Sequence, residues 1–213
     1  MAAPSGLRRE YDREVLLEAE AERDPFVQLG RWFEEAAAGE IYEPNAMALA
    51  TVAADGRPSL RMVLLKGMDD RGLSFFTNLE SRKAQEIAAN PNAALLFWWD
   101  RLHRQVRVEG AIEPVGPDEA EAYFATRPYG SRIGAWASPQ SRVIEGRGWL
   151  EAREAALRER YPEDAGVPRP AHWGGFRLLP ETYEFWQGRR SRLHDRLCYR
   201  RQESSWVMER LAP

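Results

Sequence analysis

The sequence predicts a mainly β protein with peripheral helices: a closed or split antiparallel β-barrel. Three observations carry this expectation. Short apolar runs of strand character follow one another from residue 46 onward, separated by turns rich in Asp and Gly. No alternating strand–helix pattern and no G-x-G-x-x-G occurs, which disfavours a doubly wound dinucleotide-binding sheet. The 213 residues are 44% hydrophobic and 11% aromatic, enough for the core of one compact domain. Many consecutive antiparallel strands with helices only at the rim then imply a barrel.

Each element has its own signal. Residues 1–20 read as a flexible, charged arm, leaving 21–213 as a single domain. Asp24 can cap a helix that starts at Pro25, Phe26, Leu29, Phe33 and Ala37 recur at helical spacing, and Gly39 ends it. From Asn45, "NAMALATVAADGRPSLRMVLLKGMDDRGLSFFTN" reads as three strands joined by turns at Asp55-Gly56 and at Asp69 to Gly72. "NLESRKAQEIAANP" reads as a short helix capped by Asn78 and ended by Asn90-Pro91. "AALLFWWD" and "RQVRVEGAIEPV" supply two more strands around a turn near Asp100. Helices are expected at Pro117 to Thr126 and at Gly148 to Tyr161. "GGFRLLPETYEFWQG" and the stretches flanking "RQESSW" supply the last strands.

Composition excludes several classes. A net charge of −3 and an isoelectric point near 5.8 argue against a general nucleic-acid binder. The single Cys198 excludes an internal disulfide and a multi-cysteine metal site. His103, His172 and His194 lack ligand-like spacing, so no metal is expected. The first twenty residues carry many charges and no apolar run reaches membrane-spanning length. The expectation is a cytoplasmic protein without a membrane segment.

Against this acidic background, "RRSRLHDRLCYRR" from Arg189 to Arg201 concentrates six arginines. If extended, it places Arg190, Arg192, His194 and Arg196 on one face and Leu193, Asp195, Leu197 and Tyr199 on the other. That pattern suits a cavity-lining cationic strand or a charged edge strand. Arg82 and Lys83 follow Ser81 in the first turn of the expected helix after Asn78. A helix N-terminus disfavours cations unless an anion sits between them, so this is either a phosphate site or solvated charge. In "RMVLLK", Arg61 and Lys66 have opposite strand parity. Either a bulge or strand end realigns them, or they serve different ligands. "YFATRPYGSRIGAWASPQS" offers Tyr123, Arg127, Ser131, Gln140 and Ser141 as further anion-binding groups.

Taken in order, "RREY", "RMVLLKG", "FFTN" followed by "SRKA", "QVRVEG", "YFATRPYGSRIGAWASPQS", "GRRSRLHDR" and the closing "WVMERLAP" resemble the pyridoxine/pyridoxamine 5′-phosphate oxidase family over most of the chain. The resemblance implies a split-barrel homodimer with FMN at the subunit interface. It implies FMN contacts from Arg61, Met62, Val63, Leu64, Leu65 and Lys66, from Phe76 and Thr77, and from Arg82 and Lys83 at the cofactor phosphate. Gln105, Gln140, Ser141, Trp186 and Arg196 match further FMN contacts. Lys66, Tyr123, Arg127 and Ser131 match the substrate-phosphate site. Arg192, Leu193 and His194 match the stretch against the substrate ring, with Arg192 and His194 as the catalytic pair. Arg8, Arg9, Glu10 and Tyr11 match a segment that folds over the substrate. The implied reaction oxidises pyridoxine or pyridoxamine 5′-phosphate to pyridoxal 5′-phosphate, with O2 as acceptor and hydrogen peroxide as by-product. One position departs from the pattern: the family often has Tyr where this chain has Phe76. The alternatives are a split-barrel flavoprotein acting on a different donor, a non-catalytic carrier of FMN or pyridoxal phosphate, and an RNA-binding module built on the arginine stretch.

Overall fold

In the computed structural model, which describes Glu10, Tyr11 and residues 14–213, nine strands form one antiparallel sheet. The chain runs α1 (Pro25–Ala38), β1 (Ala46–Val52), β2 (Pro58–Leu64), β3 (Gly67–Asp69), β4 (Gly72–Asn78), α2 (Arg82–Ala89), β5 (Asn92–Trp99), β6 (Arg104–Pro114), α3 (Pro117–Thr126), α4 (Tyr129–Ala137), α5 (Arg147–Arg160), β7 (Trp173–Gln187), β8 (Asp195–Gln202) and β9 (Ser205–Arg210). The strand order is β2-β1-β5-β6-β7-β4-β3, with β8 on β7 and β9 on β8. Strands β2 and β4 also touch, so the ordered path curls round on itself as a barrel.

The long strand β7 sets this shape. One edge pairs with β6 along most of its length, while the other is shared by two partners. Leu73 to Asn78 of β4 pair with residues 173–178, and Asp195 to Arg200 of β8 pair with residues 182–187. Between them lies Pro180, which has no N–H to give a ladder. Opposite it the β6 register slips between Glu109 and Gly110, leaving Glu181 as an extra residue. Gly110 permits the bulge, because a Cβ there would lie 1.9 Å from the Leu179 carbonyl oxygen.

Several elements differ from the sequence expectation. The run expected as three strands is four, because β2 stops at Leu64 and β3 starts at Gly67. Asn78 does not cap α2: it ends β4, and its Oδ1 accepts the Glu80 N–H at 2.7 Å. Ser81 is the N-cap residue, and its side chain makes no capping bond. The helix α4 has no clear sequence signal, because Gly130 and Gly134 lie inside it. Arg190–Arg192 forms a single 3-10 turn, with Ser191 and Arg192 at positive φ (58° and 63°). The expected extended face of Arg190, Arg192, His194 and Arg196 is therefore absent; the strand begins only at Asp195.

In α1 the Asp24 carboxylate accepts the Phe26 N–H at 2.8 Å. The helix buries Leu29, Trp32 and Ala36, so its core face is turned by a residue from the expected Phe33–Ala37 stripe. Trp32 meets Phe185 edge-on at 5.2 Å inside the barrel, beside Leu49, Phe97 and Val106. Buried Arg104 covers Trp32 at 4.4 Å and is held by Glu14, Glu35 and Gln187. The later part of the expected arm is seated on this body. Leu16 is in the core and its N–H donates to Asp195 Oδ2 at 3.2 Å, while Arg210 pairs with Glu18 at 2.6 Å. Arg8 and Arg9 lie outside the described residues. Among the described residues no helix is long and apolar enough to cross a membrane.

Gly110→Ala is expected to cost about 3 kcal/mol by overpacking against backbone. That lowers Tm by roughly 6–12 °C for a chain of this size. Gly148→Ala, a helical position with nothing within 4 Å of the new Cβ, is expected to leave Tm unchanged or raise it slightly. Thermal unfolding followed by circular dichroism checks both.

Candidate active site

The ends of β2 and β4, the start of α2, the end of α3 and Trp173 of β7 enclose a cleft of about 330 Å³. Arg61, Met62, Val63, Leu64 and Lys66 line it from one side, with Lys83 and Gln140 from another. Phe76, Thr77, Tyr123, Arg127 and Trp173 complete the wall. Four of these side chains are cations and none is a carboxylate. The strand end resolves the parity question: β2 stops at Leu64, and the following break brings Lys66 to the same cleft as Arg61.

The first group of polar residues centres on Lys83. Its Nζ donates to Gln140 Oε1 at 2.6 Å, Thr77 Oγ1 at 3.0 Å and Ser81 Oγ at 3.3 Å. Burial, helped by the nearby Arg61 charge and opposed by Glu86, pulls the Lys83 ammonium down to about 8. Arg61 donates to the Leu49 carbonyl at 3.0 Å and to Glu86 Oε2 at 3.0 Å, and contacts Thr51 and Ser59. Arg82 is largely exposed and does not line the cleft; its Nε donates to Glu86 Oε1 at 2.8 Å.

The second group is aromatic and cationic. Phe76 stacks on Tyr123 at 4.1 Å and 23°, and lies nearly parallel to Trp173 at 5.5 Å. Room for the Phe76 ring comes from Gly175, where a Cβ would sit 2.6 Å from its Cδ1. The Arg127 guanidinium lies 4.7 Å from the Trp173 ring centre. Its Nη1 is buried with no hydrogen-bond partner. Burial lowers the Arg127 pKa and raises that of Tyr123. A buried, unpaired guanidinium N–H is costly unless an anion or other acceptor meets it.

Not every expected residue reaches this cleft. The Leu65 side chain belongs to the core. Ser131, in the first turn of α4, and Ser141, at φ 71°, are exposed near its rim elements but do not line it. Gln105, Trp186, Arg192, Leu193, His194 and Arg196 belong to a different part of the chain. Gln105 pairs with Trp186, and Trp186 with Arg196, across β6, β7 and β8. The Trp186 ring lies 4.5 Å from His194, and Tyr11 covers His103, Trp186 and His194 at 4.6, 5.9 and 5.9 Å. His194 Nδ1 accepts the Arg189 N–H at 3.1 Å. Burial, then the Arg192 charge, lowers the His194 pKa against the pull of Asp195. Trp173 and Trp186 stand at the first and penultimate positions of β7, about 40 Å apart along the strand at the usual rise per residue.

Two functional features escaped the sequence reading. Trp173 completes the aromatic wall, and Glu86 holds Arg61 and Arg82 from behind. The four-residue spacing of Arg82 and Glu86 on one helix was the available signal for Glu86. Trp173 carried none, because its place depends on the pairing of β4 with β7.

Comparison with known proteins fits this geometry. Residues 33–161 match the family described as pyridoxamine 5′-phosphate oxidase, and residues 173–213 match the pyridoxine 5′-phosphate oxidase C-terminal dimerisation region. The chain is 58% identical over 216 residues to a pyridoxine/pyridoxamine 5′-phosphate oxidase of Burkholderia multivorans, covering 100% of both chains. It is 57% identical over 208 residues to one from Gloeothece citriformis, covering 97% of each. PhzG from Burkholderia lata, solved in complex with tetrahydrophenazine-1-carboxylic acid, superposes with a TM-score of 0.88 at 33% identity, over 94% of this chain and 98% of that one. A pyridoxamine 5′-phosphate oxidase-related, FMN-binding protein of Nostoc punctiforme shares the fold, with a TM-score of 0.71 at 20% identity over 89% and 98% of the two chains. The chain belongs to the pyridoxamine 5′-phosphate oxidase family of split-barrel flavoprotein oxidoreductases.

Proposed function

We propose that the protein is an FMN-dependent oxidase that converts pyridoxine 5′-phosphate and pyridoxamine 5′-phosphate to pyridoxal 5′-phosphate, with O2 as electron acceptor. The observation that carries this reading is the pair of cationic groups in one cleft. One, around Lys83 and Arg61, is internally hydrogen-bonded; the other ends in the unpaired Nη1 of Arg127. A ligand with a single anionic tail satisfies only one of them. A phosphorylated cofactor and a phosphorylated substrate together satisfy both. The curated relatives at 57–58% identity support the same substrate class.

The residues present fit FMN. Arg61, Lys83, Thr77 and Gln140 would hold it, with Arg82 closing from the exposed side of α2. When bound, FMN supplies the hydride acceptor for the substrate C4′ and passes the electrons to O2. Lys66, Tyr123 and Arg127 would clamp the substrate phosphate, with Ser131 reaching in from the start of α4. The Phe76 ring, already stacked on Tyr123, would orient that clamp and leave its backbone for the flavin. Such positioning is worth several kcal/mol of barrier, on the order of 7 or more when it is complete.

The Trp186–His194 cluster would join the cleft from a second copy of the chain, forming a homodimer. Exposed Leu60, Met62 and Trp98 (69%, 64% and 47% accessible) form apolar surface suited to that contact. In that arrangement Arg192 and His194 would cover the substrate ring and exclude water, while Glu10 and Tyr11 lie over them.

Purified protein is expected to be yellow and to bleach when pyridoxine 5′-phosphate is added without oxygen. Flavin that stays oxidised with both B6 phosphates, yet is reduced by a carboxylated polycyclic donor, would move the assignment towards a PhzG-like substrate. Arg127→Ala is expected to raise KM for the phosphate ester roughly tenfold to a hundredfold, the loss of one or two charge-assisted bonds, with FMN affinity unchanged. Arg192→Ala is expected to retain FMN and lose most turnover; unchanged kcat/KM removes the residue from the site.

The Lys83 ammonium, pulled down to about 8 by burial, adds a pH dependence. Below that value it is charged and available to an anion; above it the neutral amine predominates. FMN affinity of the apoprotein is therefore expected to fall as pH rises through about 8, by up to roughly tenfold per unit for one coupled proton. Lys83→Gln should bind FMN more weakly and lose this dependence. Fluorescence titration across the alkaline range reads both.

A further inference from the structure

We propose that Glu86 is the positioning residue of the cofactor-phosphate site: its buried carboxylate fixes the guanidinium of Arg61 in the cleft with Lys83, and that of Arg82 outside it, so that a phosphate meets donors already in place. The proposal rests on the FMN reading given above and adds a residue that makes no contact with the cofactor itself.

Glu86 is 5% exposed, on the inner face of α2. Its Oε2 accepts from Thr51 Oγ1 at 2.5 Å, Ser59 Oγ at 2.5 Å and Arg61 Nη2 at 3.0 Å. Its Oε1 accepts from Arg82 Nε at 2.8 Å. One carboxylate thus joins β1, β2 and α2, and every one of these contacts is polar. A buried carboxylate of this kind adds little to stability compared with apolar packing of the same volume. What it does supply is orientation. The Arg61 head is held from four directions, by Leu49, Thr51, Ser59 and Glu86. Without the carboxylate, Arg61 and Lys83 would face each other as partly buried like charges, and Arg82 would lose the group that holds it against α2. These bonds also hold the Glu86 carboxyl down to about 2 against the upward pull of burial, so the counter-charge persists throughout the working pH range.

The test separates phosphate binding from fold support. FMN and riboflavin share the isoalloxazine ring and ribityl chain and differ by the phosphate. Apoprotein is titrated with each, following flavin fluorescence, for wild type, Glu86→Gln and Ser59→Ala. Glu86→Gln is expected to weaken FMN by about tenfold or more, the loss of charge-assisted bonds to two arginines, while riboflavin affinity stays the same. Ser59→Ala, which removes one contact to Glu86 and one to Arg61, should weaken FMN less and in the same direction. Equal weakening of both flavins, or unchanged affinity for both, overturns the proposal and makes Glu86 a structural group. If Glu86→Gln does not fold, Ser59→Ala decides by the same comparison. Wild-type protein that binds FMN no better than riboflavin would overturn the cofactor reading and this inference with it, whereas a wild-type preference for FMN that is undiminished in both variants overturns the inference alone.

Discussion

The division of one edge of β7 between β4 and β8 is the constraint from which the rest of the molecule follows. A continuous strand normally offers each edge to one neighbour. Here Pro180 withdraws an N–H at the point of change, Glu181 is left over, and Gly110 lets the backbones approach closely. Half of the edge then closes the barrel through β4, and the other half pairs with β8, which carries β9 and buries Leu197 and Tyr199 in the same core. The cleft residues Phe76 and Thr77 belong to the first half, while the Trp186, His194 and Arg196 cluster belongs to the second. One strand thus displays two chemically different surfaces at its two ends.

Electrostatics explains how an acidic protein sustains a strongly cationic cleft. The arginines nearest the sites rest on carboxylates that are buried behind them. Glu86 holds Arg61 and Arg82, and Glu184, 2% exposed, holds Arg107 at 2.7 Å and Arg196 at 2.8 Å. At Arg104 and Arg177 the burial is reversed: the guanidinium is buried, and its partners Glu14 and Glu35, and Glu119 at 2.6 Å, are the more exposed groups. Each pair keeps one face of the guanidinium engaged and fixes the direction of the rest. Arg127 is the exception. It leans on the ring of Trp173 rather than on an anion, and its Nη1 is buried without a partner. Arg107 and Arg177 also leave a buried Nε without a hydrogen bond, but each has a carboxylate on its other nitrogens, which Arg127 lacks.

The legibility of the sequence varied with the range of the forces involved. The Asp24-Pro25 helix start, the Asp55-Gly56 turn and the alternating strands were readable because caps, turns and pleats depend on neighbouring residues. The cleft's cations were also readable, as charges placed against local preference: Lys83 in the first turn of α2, Arg61 and Lys66 at the ends of one apolar run. The arginine-rich stretch from Arg189 misled a periodicity argument, because Ser191 and Arg192 adopt left-handed backbone conformations that no alternating pattern announces. Helix α4 was hidden by its glycines, which its packing against α5 outweighs.

Residue types and their spacing by themselves determined the antiparallel barrel and the separation of acidic body from basic stretches. Only the tertiary structure decided which side chains meet. It placed Lys66 beside Arg61 by ending β2 at Leu64, moved Leu65 into the core, and kept Arg82 outside the cleft on Glu86. It also stacked Phe76 on Tyr123 and set the His194 cluster at the opposite end of β7. The reason is physical: propensity and charge act over a few residues, whereas the partners of a buried carboxylate or a stacked ring are chosen by strand pairing between segments far apart in the chain.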